Sequence, residues 1–459
     1  MKHASIPAAV PLPDGGPYPA PNGRPGPPVV ANDFPKLSSS CSFHVYDGGR
    51  GREEYVLGVE GRHFRVSALA RRILERLDGK TSLEEIAAGL QSESVAITAD
   101  ELRTLIAQRY SHLGVLERTD LSPAPPRPAS RGARPTGFPF LLAWDLVPQR
   151  VVGWFARGFS RLYSRPAAAL LLLSALAHLP VYSWPLKAAF SPEQGLAIMG
   201  LCLLSILVHE LGHAAAVSRF GGTPGSIGVG LYLLMPTFYA DVSQIWRFPR
   251  RRRMLVDLGG VYFQQICFAA FAVAGVSTGR PEFFGACRMI DFMVLMTLNP
   301  IFRFDGYWFL VDYLAIPQLH SLALRYPAYL LRRLAGRPAI PPELPALSRV
   351  GTLVFRSYAV LAGLFLVAIV GLAFRSLSGA LGSLPVLVPA ILETARAAYA
   401  EGRLLAALDR VLVLFLFLAF PASALLGIAL YLRSVGAWCA AKLRGALSRR
   451  DGLPRRRET

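Results

Sequence analysis

The sequence has few charged residues, and its cysteines are not arranged in CxxC pairs. Only 17% of its 459 residues are Asp, Glu, Lys or Arg, whereas soluble domains usually contain about one quarter. The five cysteines are scattered and form no CxxC pair, which argues against a disulfide framework and against a cysteine-ligated zinc site. The N-terminal residues contain no apolar core, so no secretory signal is predicted. These absences indicate a largely apolar chain outside the disulfide-rich secreted class.

The positive charge is large and unevenly placed. The formal net charge is +19, and nearly all of the basic residues are arginine. They cluster beside apolar runs, as in RFPRRRR at 247–253 and SRRDGLPRRR at 448–457. Arginines in such positions are typical of the cytoplasmic loops of membrane proteins, where positive charge sets the orientation. We therefore expect a membrane as a partner and do not expect nucleic-acid binding.

Hydrophobic residues make up 53% of the chain and are concentrated in long runs. Runs long enough for a helix to cross a bilayer occur near residues 166–184, 196–218, 254–276, 284–301, 351–374 and 408–432. A further apolar stretch, 381–392, is too short to count as a span. The pattern predicts a mainly α fold, a polytopic transmembrane helical bundle of about six spans, with both chain ends in the cytoplasm.

Changes in composition divide the chain into six segments. The N-terminal segment is rich in Pro and Gly and is predicted to be disordered. A linker rich in Pro and Arg separates a small soluble domain from the membrane part. The predicted segments are the disordered N-terminus 1–42, the soluble domain 43–118, the linker 119–137, the membrane core 138–325, additional transmembrane helices 326–434 and a basic cytoplasmic tail 435–459.

The soluble domain has the pattern of a small α+β winged helix. EYVLGVEGRHFRVS alternates like two short strands joined by a turn near Glu60 and Gly61. SALARRILERLDG then places apolar residues on one helical face and ends at Gly79. TSLEEIAAGLQ and TADELRTLIAQRYSHLGVLE each open with a helix-start signature, and the second ends in a short strand. Domains of this kind are usually binding modules.

The stretch SILVHELGHAAAVSRF, residues 205–220, places ionisable side chains inside an apolar run. His209 and His213 are four residues apart and share one face of a helix, so both imidazoles can bind a single ion. Glu210, one residue along, can take a proton from a water molecule that zinc makes more acidic. Gly212 leaves room for another backbone or a substrate to approach. Because ionisable groups are costly at membrane depth, the motif predicts a zinc site.

A catalytic zinc ion bound by two histidines needs a third protein ligand. The stretch LNPIFRFDGYWFLVDYL, 298–314, places Asn299 and Pro300 where they would break a span just before Asp305. Asp305 would then project near the membrane–cytoplasm boundary, in broken backbone that lines a protein cavity. From spacing alone, Asp305 could equally cap a turn. The competing carboxylates are Asp241, Asp257, Asp291 and Asp312.

The segment TPGSIGVGLYLLMPTFYADVSQIW, 223–246, lies between these motifs and combines several glycines with β-branched and aromatic residues. We predict a hairpin or re-entrant segment near the site, with an edge that can pair with an extended substrate strand. A simple interfacial loop is the alternative. Gly259 and Gly260, in the next span, are expected to allow close helix packing.

The motifs HELGH and NPIFRFDGYW, both embedded in apolar spans, resemble those of the site-2 protease family of intramembrane zinc metalloproteases. The flanks LLAWDLVPQRVVGWF, PTFYADVSQIWRFPRRRR and FDGYWFLVDYLAIPQL are similar to a bacterial branch described as peptide zinc metalloproteases. The similarity covers residues 138–325 well and the later spans loosely. The family's proline-rich spacing between Asn and Asp is replaced here by PIFR. The resemblance implies Zn²⁺ as cofactor, with His209, His213 and Asp305 as its ligands, Glu210 as general base and Asn299 as a group that holds the substrate or the oxyanion.

The soluble domain resembles the PqqD-like domains, also called RiPP recognition elements, in the pattern FxVSxxAxxILxxLDGxxSLEEIA. These small winged helices bind leader peptides of ribosomally made, modified peptides as an added β-strand. The resemblance implies a peptide or precursor peptide as partner, with contacts near Val66, Leu69 and Leu74. A regulatory or assembly winged helix with another partner is the alternative.

Together the two resemblances imply a multi-pass zinc endopeptidase of the bacterial inner membrane. It would mature a modified-peptide precursor or cut a membrane-tethered peptide, and an export transporter would be a further partner. The alternative is a non-catalytic peptide-binding, export or immunity partner that retains the zinc-protease fold, although such a partner has no physical need for Glu210. A protease of anti-sigma factors would need a periplasmic sensing module, and no insert of suitable length is visible. A metal transporter would need polar residues along several spans, and they do not recur in this way here.

Overall fold

A computed structural model defines the fold of most of the chain. The predicted linker 119–137, the basic tail 435–459 and most of the predicted disordered N-terminus lie outside the described residues. The described residues are 10–11, 33–46, 53–59, 62–110, 113–117, 140–164, 166–185, 190–232, 235–316, 319–338, 344, 347–415, 417–419, 422, 425–426 and 429.

A small antiparallel sheet and three helices form the N-terminal domain. The strands are β1 (Val10–Pro11), β2 (Ser42–Tyr46), β3 (Glu54–Val59) and β4 (Arg62–Ser67), and the helices are α1 (Ala68–Glu75), α2 (Leu83–Ser92) and α3 (Ala99–Arg109). The strand order is β1-β4-β3-β2. The predicted series of two strands and three helices is confirmed, while the turn predicted at 60–61 lies outside the described residues. The final predicted strand is reduced to a single bridge between Leu116 and Leu37.

The helices of this domain begin where the sequence signals predict. The side chains of Ser82 and Thr98 cap α2 and α3 and complete capping boxes with Glu85 and Glu101. After α1, Gly79 adopts a φ of +80°, a backbone conformation that glycine reaches without steric cost. Local chemistry therefore sets the helix boundaries here.

Residues 33–42 belong to the segment predicted to be disordered, and the structure contradicts that prediction. The Leu37 N–H donates to the Leu77 carbonyl at 2.7 Å, and the Ser38 N–H donates to the Val115 carbonyl at 2.7 Å. Strand β2 follows directly and pairs along its whole length with β3. The Pro/Gly-rich composition on which the prediction rests ends near residue 35, so the disorder signal does not extend over this segment.

A second antiparallel sheet lies in the segment 138–325. Its strands are β5 (Phe140–Val147), β6 (Ile227–Tyr232) and β7 (Met235–Ala240), in the order β5-β6-β7. The predicted hairpin within 223–246 is therefore confirmed as β6 and β7, with β7 at the edge of the sheet. Gly228 is required in β6 because a Cβ atom there would lie 2.4 Å from the Tyr239 ring and 2.5 Å from the Trp144 carbonyl oxygen.

Helices make up most of the remaining described residues, so the chain is mainly helical with two small antiparallel sheets. Two short 3-10 helices, Ser160–Tyr163 and Ser243–Arg247, join the longer elements, and a further helical segment covers 404–415. The long helices are α4 (Gln149–Phe159), α5 (Pro166–Ser183), α6 (Pro192–Arg219), α7 (Arg250–Asp257), α8 (Gly259–Thr278), α9 (Pro281–Leu298), α10 (Asp305–Leu314), α11 (Leu319–Leu334) and α12 (Arg349–Ala400).

Among the described residues, two helical stretches are long and apolar enough to cross a membrane. One is α6, with 28 residues, and the other is α7 together with α8, with 29 residues. A shorter apolar stretch in α5 runs from Ala169 to Ser183. The predicted runs 351–374 and 381–392 lie in one continuous helix, α12, which is 52 residues long and contains Pro385 and Pro389. The two runs are thus parts of one element.

The sheet of the N-terminal domain is covered on both faces. Val56 and Leu57 are adjacent in β3, so their side chains point to opposite faces, and both are fully buried. Leu57 belongs to the core formed with the domain's own helices. Val56 belongs to a different cluster, which includes Trp246 and Phe248 of the segment 138–325. The domain is therefore packed against that segment through the second face of its sheet.

Candidate metal centre

Two helices bring His209, His213 and Asp305 together. The histidines lie one turn apart on α6, as predicted, and Asp305 is the first residue of α10. Asp305 Oδ2 lies 3.0 Å from His209 Nε2 and 3.3 Å from His213 Nε2, and the two Nε2 atoms are 3.1 Å apart. Within the described part of the chain, this is the group of His, Cys, Asp and Glu side chains whose spacing suits a metal ion.

The second nitrogen of each imidazole has its own protein partner. His213 Nδ1 lies 2.7 Å from the Val256 carbonyl oxygen, and His209 Nδ1 lies 3.1 Å from Gln264 Oε1. Both partners are acceptors, so each Nδ1 carries the proton. Each Nε2 therefore directs its lone pair toward Asp305 Oδ2 and the Nε2 atom of the other histidine. Such contacts fix the tautomer and the ring orientation of metal-ligating histidines.

The three converging atoms fit a bound cation. Asp305 Oδ2 is buried and makes no hydrogen bond to any described residue. Three electron-rich atoms within 3.3 Å of one another repel each other unless a positive charge lies between them. In tetrahedral zinc sites with bond lengths of about 2.0–2.1 Å, neighbouring ligand atoms are about 3.3 Å apart. Two imidazoles and one carboxylate are also a donor set that zinc accepts, so these residues fit the predicted cofactor.

Glycines allow the helices around the histidines to approach closely. A Cβ atom on Gly212 would lie 2.3 Å from the Gly259 carbonyl oxygen, and one on Gly260 would lie 2.3 Å from His209 Nε2. The Tyr163 hydroxyl donates to the carbonyls of Gly212 and Gly259 at 2.8 and 3.1 Å, which joins the two helices at the same point. The prediction that these glycines permit close packing is confirmed.

A break between two helices positions Asp305. Helix α9 ends at Leu298 and α10 begins at Asp305, so the interruption predicted from Asn299 and Pro300 is confirmed. Gly306 is pressed against the end of α9, because a Cβ atom there would lie 2.1 Å from the Leu298 carbonyl oxygen. Asp305 is not the N-cap of α10, a position held by Phe304. Its carboxylate faces the histidines instead.

The competing carboxylates do not join the histidines. Asp257 is buried on α7 beside the site, but it is not part of the group whose atoms converge. The other three carboxylates are engaged elsewhere. Their partners are Ser243 for Asp241, Tyr182 and His178 for Asp291, and Arg253 for Asp312.

A cavity of about 470 Å³ opens beside the three residues. Glu210, only 9% exposed, lies in its wall together with β7. Residues 237–240 of this edge strand line the same wall. The predicted general base and the predicted substrate-binding edge therefore face the same space.

The cavity wall is largely apolar, with acidic side chains, the two histidines and a few hydroxyl and amide groups. No lysine or arginine is found among the described residues that line the cavity. Large apolar residues in the wall include Phe238, Trp246, Phe292, Phe304 and Trp308. An extended peptide segment with apolar side chains suits such a space.

Asn299 is not among the residues that line this cavity. It terminates α9, and its Oδ1 accepts a hydrogen bond from the Ile301 N–H at 3.0 Å. Its observed contact therefore stabilises the turn that leads to Asp305. A role in holding the substrate or the oxyanion stays a prediction.

The predicted leader contacts lie mostly inside the N-terminal domain. Val66 and Leu74 are 2% and 0% exposed and belong to the domain core. The structure thus corrects the prediction for these two side chains, because they are occupied in holding β4 and α1 together. Leu69 is half-buried and packs against the same core. Of the three predicted side chains, Leu69 is the one with exposed surface for a peptide, and β4 itself lies between β1 and β3 in the sheet.

Several residues that support the site were not predicted. Gln264 orients His209, and its polar side chain within an apolar span is a signal that could have revealed it. The Val256 carbonyl orients His213, and no side-chain pattern marks a backbone acceptor. Arg253 is buried and pairs with Asp312, yet it lies in a run of arginines that suggests a solvated loop.

Comparisons with known proteins give no match. The chain matches no protein-family model, no curated protein and no solved structure. The resemblance to site-2 proteases and to PqqD-like domains therefore rests on the sequence motifs alone.

Proposed function

We propose that the protein is an intramembrane zinc metalloendopeptidase that hydrolyses a peptide bond of a precursor peptide or a membrane-tethered peptide. The observation that carries this proposal is the convergence of His209 Nε2, His213 Nε2 and Asp305 Oδ2 within 3.3 Å. Three protein ligands with space for a fourth are typical of catalytic zinc sites, whereas structural sites are closed by four. Zinc held by these residues would supply Lewis acidity, which polarises the scissile carbonyl and acidifies the attacking water.

Glu210 would carry the proton. It lies on α6 between the two histidines and in the cavity wall. Its carboxylate accepts a proton from the attacking water and passes it to the leaving amine. Asn299 would assist substrate binding at the end of α9.

Strand β7 would bind the substrate. As the edge of its sheet, β7 presents backbone groups that can pair with an extended peptide, and it lines the cavity beside Glu210. A helical substrate must unwind before its carbonyl can be reached, and pairing with β7 would stabilise the unwound segment. The apolar wall suits a substrate segment drawn from a membrane.

We further propose a multi-pass protein of the bacterial inner membrane, with about six spans and both ends in the cytoplasm. Large apolar residues are also exposed on helices outside α6 and the α7–α8 stretch, as on α5, where Leu172 is 61% exposed, and on α9, where Leu295 is 65% exposed. Lipid contact would cover these surfaces. The arginine run at 250–253 would lie on the cytoplasmic side.

The N-terminal domain would recruit the substrate. Its winged-helix order and its resemblance to PqqD-like domains support binding of a leader peptide as a strand added at an edge of its sheet. The substrate would then be a ribosomally made peptide that is modified, cut and exported, with an export transporter as a further partner.

Metal content of the detergent-purified full chain tests the proposal. We expect about one zinc ion per chain in the wild type and in Glu210→Gln, because the glutamate is not a ligand. Asp305→Ala should lose most of the metal. Asp291→Asn is the matched control, since Asp291 is bound to Tyr182 away from the site. A wild type that binds no zinc when zinc is supplied would overturn the proposal.

Cleavage assays separate the enzyme from the non-catalytic alternative. A set of membrane-tethered peptides is incubated with the wild type and with Glu210→Gln at equal zinc content. Cleavage by the wild type alone supports the endopeptidase. Zinc binding without cleavage of any peptide would instead support a peptide-binding or export partner.

A further inference from the structure

Helix α7 is connected to both elements that carry the metal ligands. Its Val256 carbonyl accepts the hydrogen bond from His213 on α6. Arg253, one turn earlier, donates three hydrogen bonds of 2.7, 2.9 and 3.0 Å to the Asp312 carboxylate. Asp312 lies on α10, two turns after Asp305. A displacement of α7 would therefore move His213 through its hydrogen bond to Val256. It would also move α10, which carries Asp305, through the Arg253–Asp312 ion pair.

The Arg253–Asp312 pair is held away from water. Arg253 is 1% exposed and Asp312 is 5% exposed. Arg253 Nη1 also donates to the Phe248 carbonyl at 3.2 Å. A buried charge is tolerated only when it is paired and hydrogen-bonded, so this pair has little freedom to adopt another geometry.

The N-terminal domain supplies part of the surroundings of Arg253. The Tyr46 ring of β2 lies 5.2 Å from the guanidinium carbon, and the Trp246 ring lies 5.5 Å from the same atom. Tyr46 is itself buried, at 6% exposure. Aromatic rings attract a cation more strongly when both are desolvated. Undocking the domain would remove one ring and admit water to the buried pair.

We infer that the docked N-terminal domain, acting through Tyr46 and Arg253, positions the metal ligands on α6 and α10. Arg253 is a positioning residue, since it touches neither the metal ligands nor the cavity. The inference rests on the proposed function, because it concerns the same zinc site. By thermodynamic linkage, a peptide that changes zinc affinity through domain docking has its own affinity changed by zinc by the same factor. Recruitment of a substrate would thus be coupled to the assembly of the site.

Zinc affinity of Tyr46 variants tests this coupling in the full chain. Purified protein in detergent is titrated with zinc against a chelating dye. Tyr46→Leu removes the ring and should weaken zinc binding about fivefold or more, whereas Tyr46→Phe keeps the ring and should stay near the wild type. Tyr55→Leu is the matched control, because the Tyr55 ring stacks on Arg71 of its own domain, 4.3 Å away.

A second measurement keeps the test independent of zinc. Hydrogen exchange of the α10 backbone, residues 305–314, is followed in the metal-free protein. We expect faster exchange in Tyr46→Leu than in Tyr46→Phe. Equal zinc affinity and equal α10 exchange in these two variants would overturn the inference. A wild type without zinc affinity, but with exchange that depends on Tyr46, would reject the proposed function and retain the mechanical coupling.

Discussion

Removing one partner of the Arg253–Asp312 pair should destabilise the protein far more than replacing both. In Arg253→Met the Asp312 carboxylate, 5% exposed, loses all three hydrogen bonds from the guanidinium. An uncompensated buried charge of this kind costs about 3–5 kcal/mol. Asp312→Leu leaves the guanidinium with the Phe248 carbonyl and the rings of Tyr46 and Trp246. We expect a loss near the lower end of that range, about 3 kcal/mol.

The double variant Arg253→Met/Asp312→Leu contains no buried charge at this position. Apolar replacement of both partners is often neutral or stabilising, so we expect the double variant to lie within about 1 kcal/mol of the wild type. The coupling energy between the two sites would then be several kcal/mol. The measurement is the unfolding free energy in detergent, followed by the fluorescence of Trp246 and the other tryptophans.

Arg403→Met provides the control for this cycle. Arg403 pairs with Glu401, and these side chains are 63% and 58% exposed. Exposed pairs contribute about 0–1 kcal/mol, so this variant should unfold almost like the wild type. If the Arg253 and Asp312 single variants behaved like Arg403→Met, the pair would be solvated in the protein. The reasoning from burial would then fail.

Three further predictions concern the metal site and the docked domain. Gln264→Leu removes the acceptor that orients His209 and should weaken zinc binding about 10- to 100-fold; unchanged affinity in a chelator competition would contradict the orienting role. Gly260→Ala would bring a Cβ atom to 2.3 Å from His209 Nε2, so the purified variant should contain less than stoichiometric zinc, and full zinc content would disprove the predicted clash. Burial, with a smaller effect of the Arg247 charge, lowers the pKa of His63 to about 4. The unfolded chain takes up this proton below about pH 6.5, so stability should fall by about 2 kcal/mol between pH 7 and pH 5, and His63→Gln should lack this part of the pH dependence.

The metal ligands were predictable to different degrees. The spacing of His209 and His213 places both on one helical face, because four residues make about one turn. Asp305 is separated from them by a long stretch of chain; from spacing alone it could equally cap a turn, and four other carboxylates competed with it. What selects Asp305 is the packing of Gly306 against the end of α9, a contact between distant segments. Patterns within one helix cannot contain that information.

The fold, too, was predictable where the signals lie close together in the sequence and not where distant segments meet. The starts of α2 and α3 follow from capping residues next to them in the sequence, and the hairpin of β6 and β7 follows from its glycines and aromatic residues. Strand β5 was not predicted, because its partner β6 lies about 80 residues away. The docking of the N-terminal domain was not predicted either. It buries Arg253, one arginine within a run of four, together with an apolar cluster that includes Val56 and Trp246.

Because both faces of β3 are buried, the protein cannot be cut into two fragments at the linker without exposing apolar surface. Cutting the chain within the linker would leave Trp246 and Phe248 uncovered on one fragment and Val56 uncovered on the other. Both fragments would present apolar patches to water and tend to aggregate. An exchange of N-terminal domains between related chains would likewise require Tyr46 and its contact surface to be inherited together. The N-terminal domain and the rest of the chain must therefore be inherited together, although only the Pro/Arg linker joins them along the sequence.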